Sequence, residues 1–323
     1  MTRHFLTDLD LSPDELVQVL DLADRLKAEP YALGALAGPQ TAAVIFDKTS
    51  TRTRVSFAAG ISALGGSPLI INPGEAQLGH KESIADTARV LERQVSLIIW
   101  RTYAQAGLEE MAAYSRVPVI NALSDAYHPC QLLADLMTVR ERLGSLQGRR
   151  LAYLGDAANN MAASYLLAGA NAGMKVCVAG PQGHLPADHI VAAAAERART
   201  TGGEVAVTTD PAQALAGAEV VATDTWVSMG QQEAAEPAET FADYQLNAQA
   251  LQQAADGAVV LHCLPATRGA EITAEVMDGP ASAVWDEAEN RLHAQKALMA
   301  WLLVESGLAA DEVVQWVRQE VSR

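Results

Sequence analysis

Residues 46–57 read FDKTSTRTRVSF, so that Lys48, Arg52 and Arg54 stand among Thr49, Ser50, Thr51 and Thr53 at the end of an apolar run. Hydroxyls and guanidinium groups at this density suit an anion such as a phosphate. Each hydroxyl donates one hydrogen bond, and an arginine can grip two oxygens at once. If STRT opens a helix, the free backbone N–H groups of its first turn and the helix dipole add to the same attraction. The plainer reading is a Ser/Thr helix cap with solvated arginines, which is what such residues usually do.

Position separates the two readings, because ligands in an open parallel sheet bind beyond the carboxyl ends of the strands. Arg101 and Thr102 follow LIIW; Asn121 and then His128-Pro129-Cys130-Gln131 follow VPVI. Gly155-Asp156 and Asn159-Asn160 follow LAYL, Asp224 and then Ser228-Met229-Gly230 follow VVAT, and His262-Cys263-Leu264-Pro265 follow VVL. Polar groups gather at the same end of run after run. The set in the first half is positive and rich in donors. The second set, of amides, Asp224, Ser228 and Cys263, suits an amino acid, with Asp224 facing an ammonium and the amides holding a carboxylate. Taken singly, an Asn pair after a strand is usually a helix cap, and a buried Cys is usually a small hydrophobe.

The elements that must position these groups are legible as ten short apolar runs, at 41–47, 67–72, 95–101, 117–121, 150–156, 175–180, 204–209, 218–224, 258–263 and 282–286. Most are apolar at consecutive positions, as strands buried on both faces of a parallel sheet are. Helical stretches separate them, and ten strands make two ordinary sheets more readily than one enormous one. A long helix beginning at HPCQLLADLMTVRERLG divides the chain, and the closing helix ENRLHAQKALMAWLLVES can return to the first half. The expected fold is therefore α/β, with two doubly wound domains, each a central parallel sheet flanked by helices, joined by two interdomain helices. The first spans 1–143, completed by about 288–323, and the second spans 144–287. Near the start, Ser12, Pro13 and Glu15 predict a helix with a capping box. The segment GQQEAAEPAET (230–240) reads as a mobile loop.

Composition narrows the function classes. Half of the 323 residues are hydrophobic, which fits a well-buried core. Against 23 basic residues stand 39 acidic ones, a net charge of −16 that argues against nucleic acid as the main partner. It leaves room for a small anionic substrate held by a local positive cluster. Cys130, Cys177 and Cys263 are too few and too scattered for a disulfide framework or a zinc pattern. His262-Cys263 has no second His/Cys pair at ligand spacing, so no metal is expected. The first residues carry acids early and no apolar stretch, and no run approaches a membrane span, so neither a signal peptide nor a membrane partner is expected and the cytoplasm is the default. GxGxxG, GxxxxGK and GxSxG are absent, which leaves a dinucleotide, ATP or a serine nucleophile without support, and no cofactor is expected.

Taken together, STRTR after a strand, HPCQLLADLMT, GDAANNM, DTWVSMG, HCLPATRGAEIT and DEAENRLHAQKAL resemble the aspartate/ornithine carbamoyltransferase family, in order, from Phe5 to about Leu303. STRTR and HPxQ indicate the wider family; SMG and HCLP point to its ornithine-using members. The resemblance implies carbamoyl phosphate in the first domain and ornithine in the second. It implies that Ser50, Thr51, Arg52, Thr53 and Arg101 hold the phosphate, and that Thr53, Arg101 and His128 polarise the carbonyl. The carbamoyl NH₂ would reach Gln131 and the backbone around Cys263-Leu264. Gln77 matches a position that family members supply to a neighbouring subunit, and Lys81 aligns with a phosphate contact. Ornithine would meet Asn160, Asp224, Ser228 and Met229, with Cys263 close to the reacting amine and Arg291 completing the site. Family members are homotrimers or assemblies of trimers with active sites at subunit interfaces, and the same is expected here.

The resemblance also gives a physical test of specificity. Aspartate-using relatives place a basic residue right after their HPLP motif, for the extra carboxylate of that substrate. Here Ala266 follows HCLP, although Arg268 lies two residues further on. The expected reaction is attack by the unprotonated δ-amine on the carbamoyl carbon, through a tetrahedral intermediate, giving citrulline and phosphate. Transfer to another amine (aspartate, putrescine or an ornithine derivative) and a non-catalytic anion-binding protein are the alternatives.

Overall fold

Nine of the ten apolar runs become strands, and every strand pairing among them is parallel. The computed structural model describes residues 2–75, 82–226 and 238–320. The chain divides into two units, one of residues 1–134 and 290–323 and the other of residues 135–289.

The first unit opens with α1 (Pro13–Ala28), where the Ser12 hydroxyl accepts from the Glu15 N–H and the Glu15 carboxylate accepts from the Ser12 N–H, the capping box the sequence predicts. There follow β1 (Thr41–Phe46), α2 (Thr51–Ala63), β2 (Ser67–Ile71), α3 (Ile84–Leu91), β3 (Leu97–Arg101), α4 (Gln105–Tyr114), β4 (Val119–Leu123) and α5 (Pro129–Leu143). The sheet order is β2-β1-β3-β4. Residues Ala42 to Phe46 of β1 are all buried, as a central parallel strand requires. Pro68 sits in β2, which pairs only with β1, and an edge strand is where a missing N–H is tolerated.

The second unit contains β5 (Arg150–Leu154), α6 (Asn160–Asn171), β6 (Lys175–Ala179), α7 (Asp188–Thr201), β7 (Glu204–Thr208), α8 (Pro211–Leu215), β8 (Val220–Thr223), a 3-10 helix (Ala238–Tyr244), α9 (Ala248–Leu251), β9 (Val259–His262) and α10 (Ala274–Met277). Its sheet order is β7-β6-β5-β8-β9. Helix α6 is buried from Met161 to Asn171, the expectation for a helix apolar on every side. The unit boundaries fall inside α5 and inside α11 (Val284–Glu305), so these two helices join the units, and α12 (Asp311–Glu320) closes the described chain.

In both sheets the strand order reverses beside the first strand of the unit. In the first unit the reversal lies between β1 and β3, in the second between β5 and β8. Outside the carboxyl ends of the strands at such a switch point is where open parallel sheets bind ligands.

The run at 282–286 is not a strand. Ser282 makes a single bridge to Val260, with the Ala283 N–H donating to the Val260 carbonyl, and α11 starts two residues later. Asp286 and Glu287 fall in the first helical turn, where the dipole favours acids, and this local preference decides the outcome. Part of the expected loop at 230–240 also differs, since residues from Ala238 onward are helical; 227–237 lie outside the described residues. No helix among the described residues is long and apolar enough to cross a membrane.

Candidate active site

In the first unit the turn after β1 delivers the hydroxyl-rich segment to the switch point. Ser50 is the N-cap of α2: its Oγ accepts from the Thr53 N–H at 3.3 Å and donates to Thr53 Oγ1 at 3.0 Å. No acid stands in the first turn of α2, so nothing on the helix itself offsets the positive dipole end. Arg101 ends β3 opposite Phe46 of β1, and the register with β4 shifts between Trp100 and Arg101. His128 immediately precedes α5, and Gln131 lies within its first turn. Thr53, Arg101, His128, Gln131 and Arg291 are all buried.

These groups act on one another. The imidazole of His128 is held well below its ordinary pKa, first by burial and then by the positive charges of Arg291, Arg101 and Arg52. His128 is therefore neutral near pH 7, able to donate from one ring nitrogen, inside a cluster of three guanidinium groups. Arg291 also donates to Gln131 Oε1 at 2.5 Å. The other two cations of the opening segment are spent elsewhere. Lys48 pairs with Asp125 and lies 4.4 Å over the Tyr103 ring, and Arg54 lies 5.1 Å over the Phe46 ring.

In the second unit Asn159 is the N-cap of α6, accepting from the Ala162 N–H at 2.9 Å, while Asn160 is the first residue of the helix. The common reading of an Asn pair thus holds for one of the two. Asp224 follows β8 and Cys263 follows β9. The Cys263 thiol donates to Asp224 Oδ1 at 3.1 Å, and the Thr225 N–H donates to the same oxygen at 2.7 Å. Burial raises the Asp224 pKa, and burial followed by the charges of Asp224 and Glu287 pushes the Cys263 thiol well up. Cys263 is a protonated donor here, not a thiolate nucleophile. Cys130, fully buried, donates to the Asn121 carbonyl and is pushed up to about 12 by burial, so it too is inert.

Leu264 adopts φ 60°, a left-handed conformation that a non-glycine residue rarely takes and that persists only when neighbours hold it. His262 is one such neighbour: its Nδ1 accepts from the Leu264 N–H at 2.9 Å, and its Nε2 faces Glu271 Oε1 at 3.2 Å. The Glu271 carboxylate also accepts from the Thr267 N–H at 2.5 Å, and Glu287 accepts from the His262 N–H at 2.8 Å. Asp224, His262 and Cys263 bring three ligand-type atoms within 4.8 Å of one another. Both ring nitrogens of His262 are already engaged, so the trio is a hydrogen-bonded brace for the 263–267 turn.

Two family models cover this chain. Residues 3–141 match the carbamoyl-P binding domain of aspartate/ornithine carbamoyltransferase, and residues 147–302 match its Asp/Orn binding domain. The chain belongs to the aspartate/ornithine carbamoyltransferase family. A protein of this family from Renibacterium salmoninarum, named ornithine carbamoyltransferase, is 67% identical over 95% of this chain and 100% of its own length. Another of the same name, from Clavibacter michiganensis, is 62% identical over 95% of this chain and 100% of its own. The ornithine carbamoyltransferase structure from Pyrococcus furiosus is 43% identical, with a TM-score of 0.89, covering 93% of this chain and 97% of its own. That from Gloeobacter violaceus is 46% identical, with a TM-score of 0.84, covering 94% and 99%.

For a carbamoyltransferase the residues fall into two sets by unit. Ser50, Thr51, Arg52, Thr53, Arg101, His128, Gln131 and Arg291 belong to the first unit; Asn160, Asp224, Cys263 and Leu264 belong to the second. Arg291, expected to complete the ornithine site, is bonded to Gln131 and acts on His128 in the first unit. Gln77, Lys81, Ser228 and Met229 lie outside the described residues. Sequence reasoning assigned no role to His262, Glu271, Glu287, Ser56 or Gln295. All five stand within quoted segments, but only the fold shows that the first three bond around the turn carrying Cys263 and Leu264 and that the last two bond to one another.

The His128 shift has a measurable sign. Its folded pKa lies below the unfolded value, so the stability it contributes is complete above about pH 6.5 and is lost as pH falls, because the unfolded chain takes up a proton that the folded one refuses. Between pH 7 and pH 5, wild-type Tm is expected to fall more steeply than that of His128→Asn. His4, also lowered by burial, contributes equally to both proteins. Parallel Tm profiles would show that His128 does not resist protonation.

Proposed function

We propose that the chain transfers the carbamoyl group of carbamoyl phosphate to the δ-amine of L-ornithine, giving L-citrulline and phosphate, a step of arginine metabolism. The observation that carries this reading is the convergence of Arg52, Arg101 and Arg291 on the buried, neutral His128, in a chain whose net charge is −16. An acidic protein has no general reason to gather three buried or half-buried guanidinium groups, and a phosphorylated substrate supplies one. The full-length similarity to proteins named ornithine carbamoyltransferase supports the choice of substrates.

Ser50, Thr51, Arg52, Thr53 and Arg101 take the phosphate, and Thr53, Arg101 and His128 donate to the carbonyl oxygen. Gln131 and the backbone at Leu264 take the carbamoyl NH₂. Asn160, Asp224, Ser228 and Met229 hold ornithine, with Asp224 facing its ammonium and the Cys263 thiol near the reacting amine. Arg291 serves the carbamoyl phosphate group of residues, to which its bond with Gln131 ties it. The unprotonated δ-amine attacks the carbamoyl carbon, the new C–N bond forms, and electrons move onto the carbonyl oxygen. Collapse expels phosphate, and the amine loses its proton. No covalent bond to the protein is needed, so alignment and donors aimed at the oxyanion supply the acceleration.

Aspartate is disfavoured as the acceptor. Ala266 stands where aspartate-using relatives carry a cation, and Arg268 is held by Asp278 through bonds of 3.0 and 2.7 Å. As a further part of the proposal, the chain forms a homotrimer or an assembly of trimers in the cytoplasm, a compartment in which its three free thiols stay reduced. The exposed Leu69 on the edge strand β2 and the exposed Val55 on α2 offer an apolar surface for a second copy. Light scattering that returned a monomer at micromolar concentration would overturn the trimer.

The deciding assay supplies carbamoyl phosphate with ornithine, aspartate or putrescine as acceptor. Citrulline from ornithine alone is the expected outcome; product from another amine would reassign the acceptor, and none at all would favour an anion-binding protein. In the same assay Cys263→Ser is expected to raise KM for ornithine and leave KM for carbamoyl phosphate near wild type. Arg101→Ala and His128→Ala should each lose about a hundredfold or more in kcat, the usual effect of removing one oxyanion donor. Near-normal turnover in either would remove that residue from the oxyanion site.

A further inference from the structure

The guanidinium of Arg291 is gripped by two amides, those of Gln131 and Gln295. Gln295 lies one turn further along α11, and Ser56 lies on α2. One amide orientation satisfies every neighbour of Gln295, and it was assigned from that network. In it the oxygen accepts from Arg291 Nε and Nη2, each at 3.0 Å, while the nitrogen donates to Ser56 Oγ at 2.7 Å and to the Arg291 carbonyl at 3.3 Å. Arg291 Nη1 donates to Gln131 Oε1, Ser56 Oγ donates to the Thr53 carbonyl at 3.3 Å, and Ser50 Oγ donates to Thr53 Oγ1. A line of hydrogen bonds thus runs from α5 through Arg291, Gln295 and Ser56 to the Thr53 carbonyl in the first turn of α2, where the Thr53 side chain meets the Ser50 cap. Ser56, Gln131, Arg291 and Gln295 are all buried, the last at 0% exposure.

We propose that Gln295, with Ser56 behind it, is a positioning residue that fixes the plane of the Arg291 guanidinium for carbamoyl phosphate and ties that plane to the turn carrying Ser50 and Thr53. Two groups that grip the Arg291 fork, Gln295 and Gln131, are neutral amides, which set its orientation without adding a charge of their own. Close approach of the two helices makes the arrangement possible: a Cβ added at Gly60 of α2 would lie 3.3 Å from Lys296 Cγ of α11. Lys296 itself donates to the carbonyls of Leu26 and Pro30, which ties α11 to the end of α1. The inference rests on the reading of this group as the carbamoyl phosphate site.

The test compares Gln295→Leu, Gln295→Glu, Ser56→Ala, Arg291→Met and the double variant Arg291→Met/Gln295→Leu, assayed for citrulline, with thermal unfolding of each to show that it folds. Gln295→Leu is expected to raise KM for carbamoyl phosphate about tenfold, the order found when a supporting hydrogen-bond partner is removed, with a smaller effect on KM for ornithine. Gln295→Glu keeps an acceptor oxygen for the fork but adds a negative charge beside it and loses the amide donor to Ser56, and is expected to raise the same KM at least as much. Ser56→Ala, which leaves the fork intact, is expected to show a smaller rise. In the Arg291→Met background, Gln295→Leu should add less than about twofold, because a residue acting through another has nothing left to act on. Wild-type constants in Gln295→Leu, a Gln295→Glu variant that behaves as wild type, or an undiminished tenfold loss in the Arg291→Met background would each overturn the proposal. A wild-type protein that makes no citrulline would instead overturn the reading on which it rests.

Discussion

Like charges gathered around a buried imidazole repel one another, and the first unit is built to hold them in place. Arg52, Arg101 and Arg291 come from three separate segments, and all three act to keep His128 neutral. Nothing local to any one of those segments would bring them together. The parallel sheet does so, because β1 and β3 lie side by side with their carboxyl ends aligned, so that the turn after β1 and the last residue of β3 are neighbours. Helix α11 then returns from the far end of the sequence to add the third cation. Pre-organised charge of this kind is how a site stabilises a transition state without reorganising when it forms.

The second unit solves the opposite problem. Asp224 is a buried carboxylate whose pKa is raised by that burial, and two donors, the Cys263 thiol and the Thr225 N–H, keep it from being left bare. Neither donor is charged, and it is on this uncharged support that the proposed ammonium contact of Asp224 rests. The turn that supplies Cys263 is held by His262, Glu271 and Glu287, which bond to its backbone where Leu264 takes a left-handed conformation. Strain at Leu264 is the cost of aiming the turn, and buried hydrogen bonds offset it. In both units a neutral polar group fixes a charged one: Gln131 and Gln295 for Arg291, Cys263 and Thr225 for Asp224.

What the sequence disclosed follows from which interactions are local. The capping boundary at Ser12, the helix start at Ser50 and the two parallel sheets are consequences of nearest neighbours and of apolar runs, and a reader of the chain can find them. The run at 282–286 misled for the same reason: a short apolar stretch is ambiguous between strand and buried helix, and first-turn acids at 286 and 287 settled it. Of the three cations in FDKTSTRTRVSF, composition could not say which faced a ligand. The fold pairs Lys48 with Asp125, 77 positions away, and lays Arg54 on Phe46. Gln295 was invisible because its meaning lies in Ser56 and Arg291, and only helix packing joins those two.

Acceptor choice depends on the same distinction between a charge that is present and a charge that is available. Arg268 sits two residues past the position where aspartate-using relatives keep a cation, and by sequence alone it could serve a second carboxylate. In the fold it forms a two-bonded pair with Asp278, an arrangement in which the guanidinium fork is matched to a carboxylate already within the protein. Recruiting Arg268 for aspartate would mean breaking that pair. The pair is largely exposed, so it is worth little in itself and would not forbid the move. What weighs more is Ala266, because a methyl group at the position next to HCLP offers an incoming carboxylate no side-chain donor. On the proposed ornithine reading, the second carboxylate of aspartate would lack a side-chain partner at this position, and a desolvated anion with no donor loses more than a hydrophobic mismatch would.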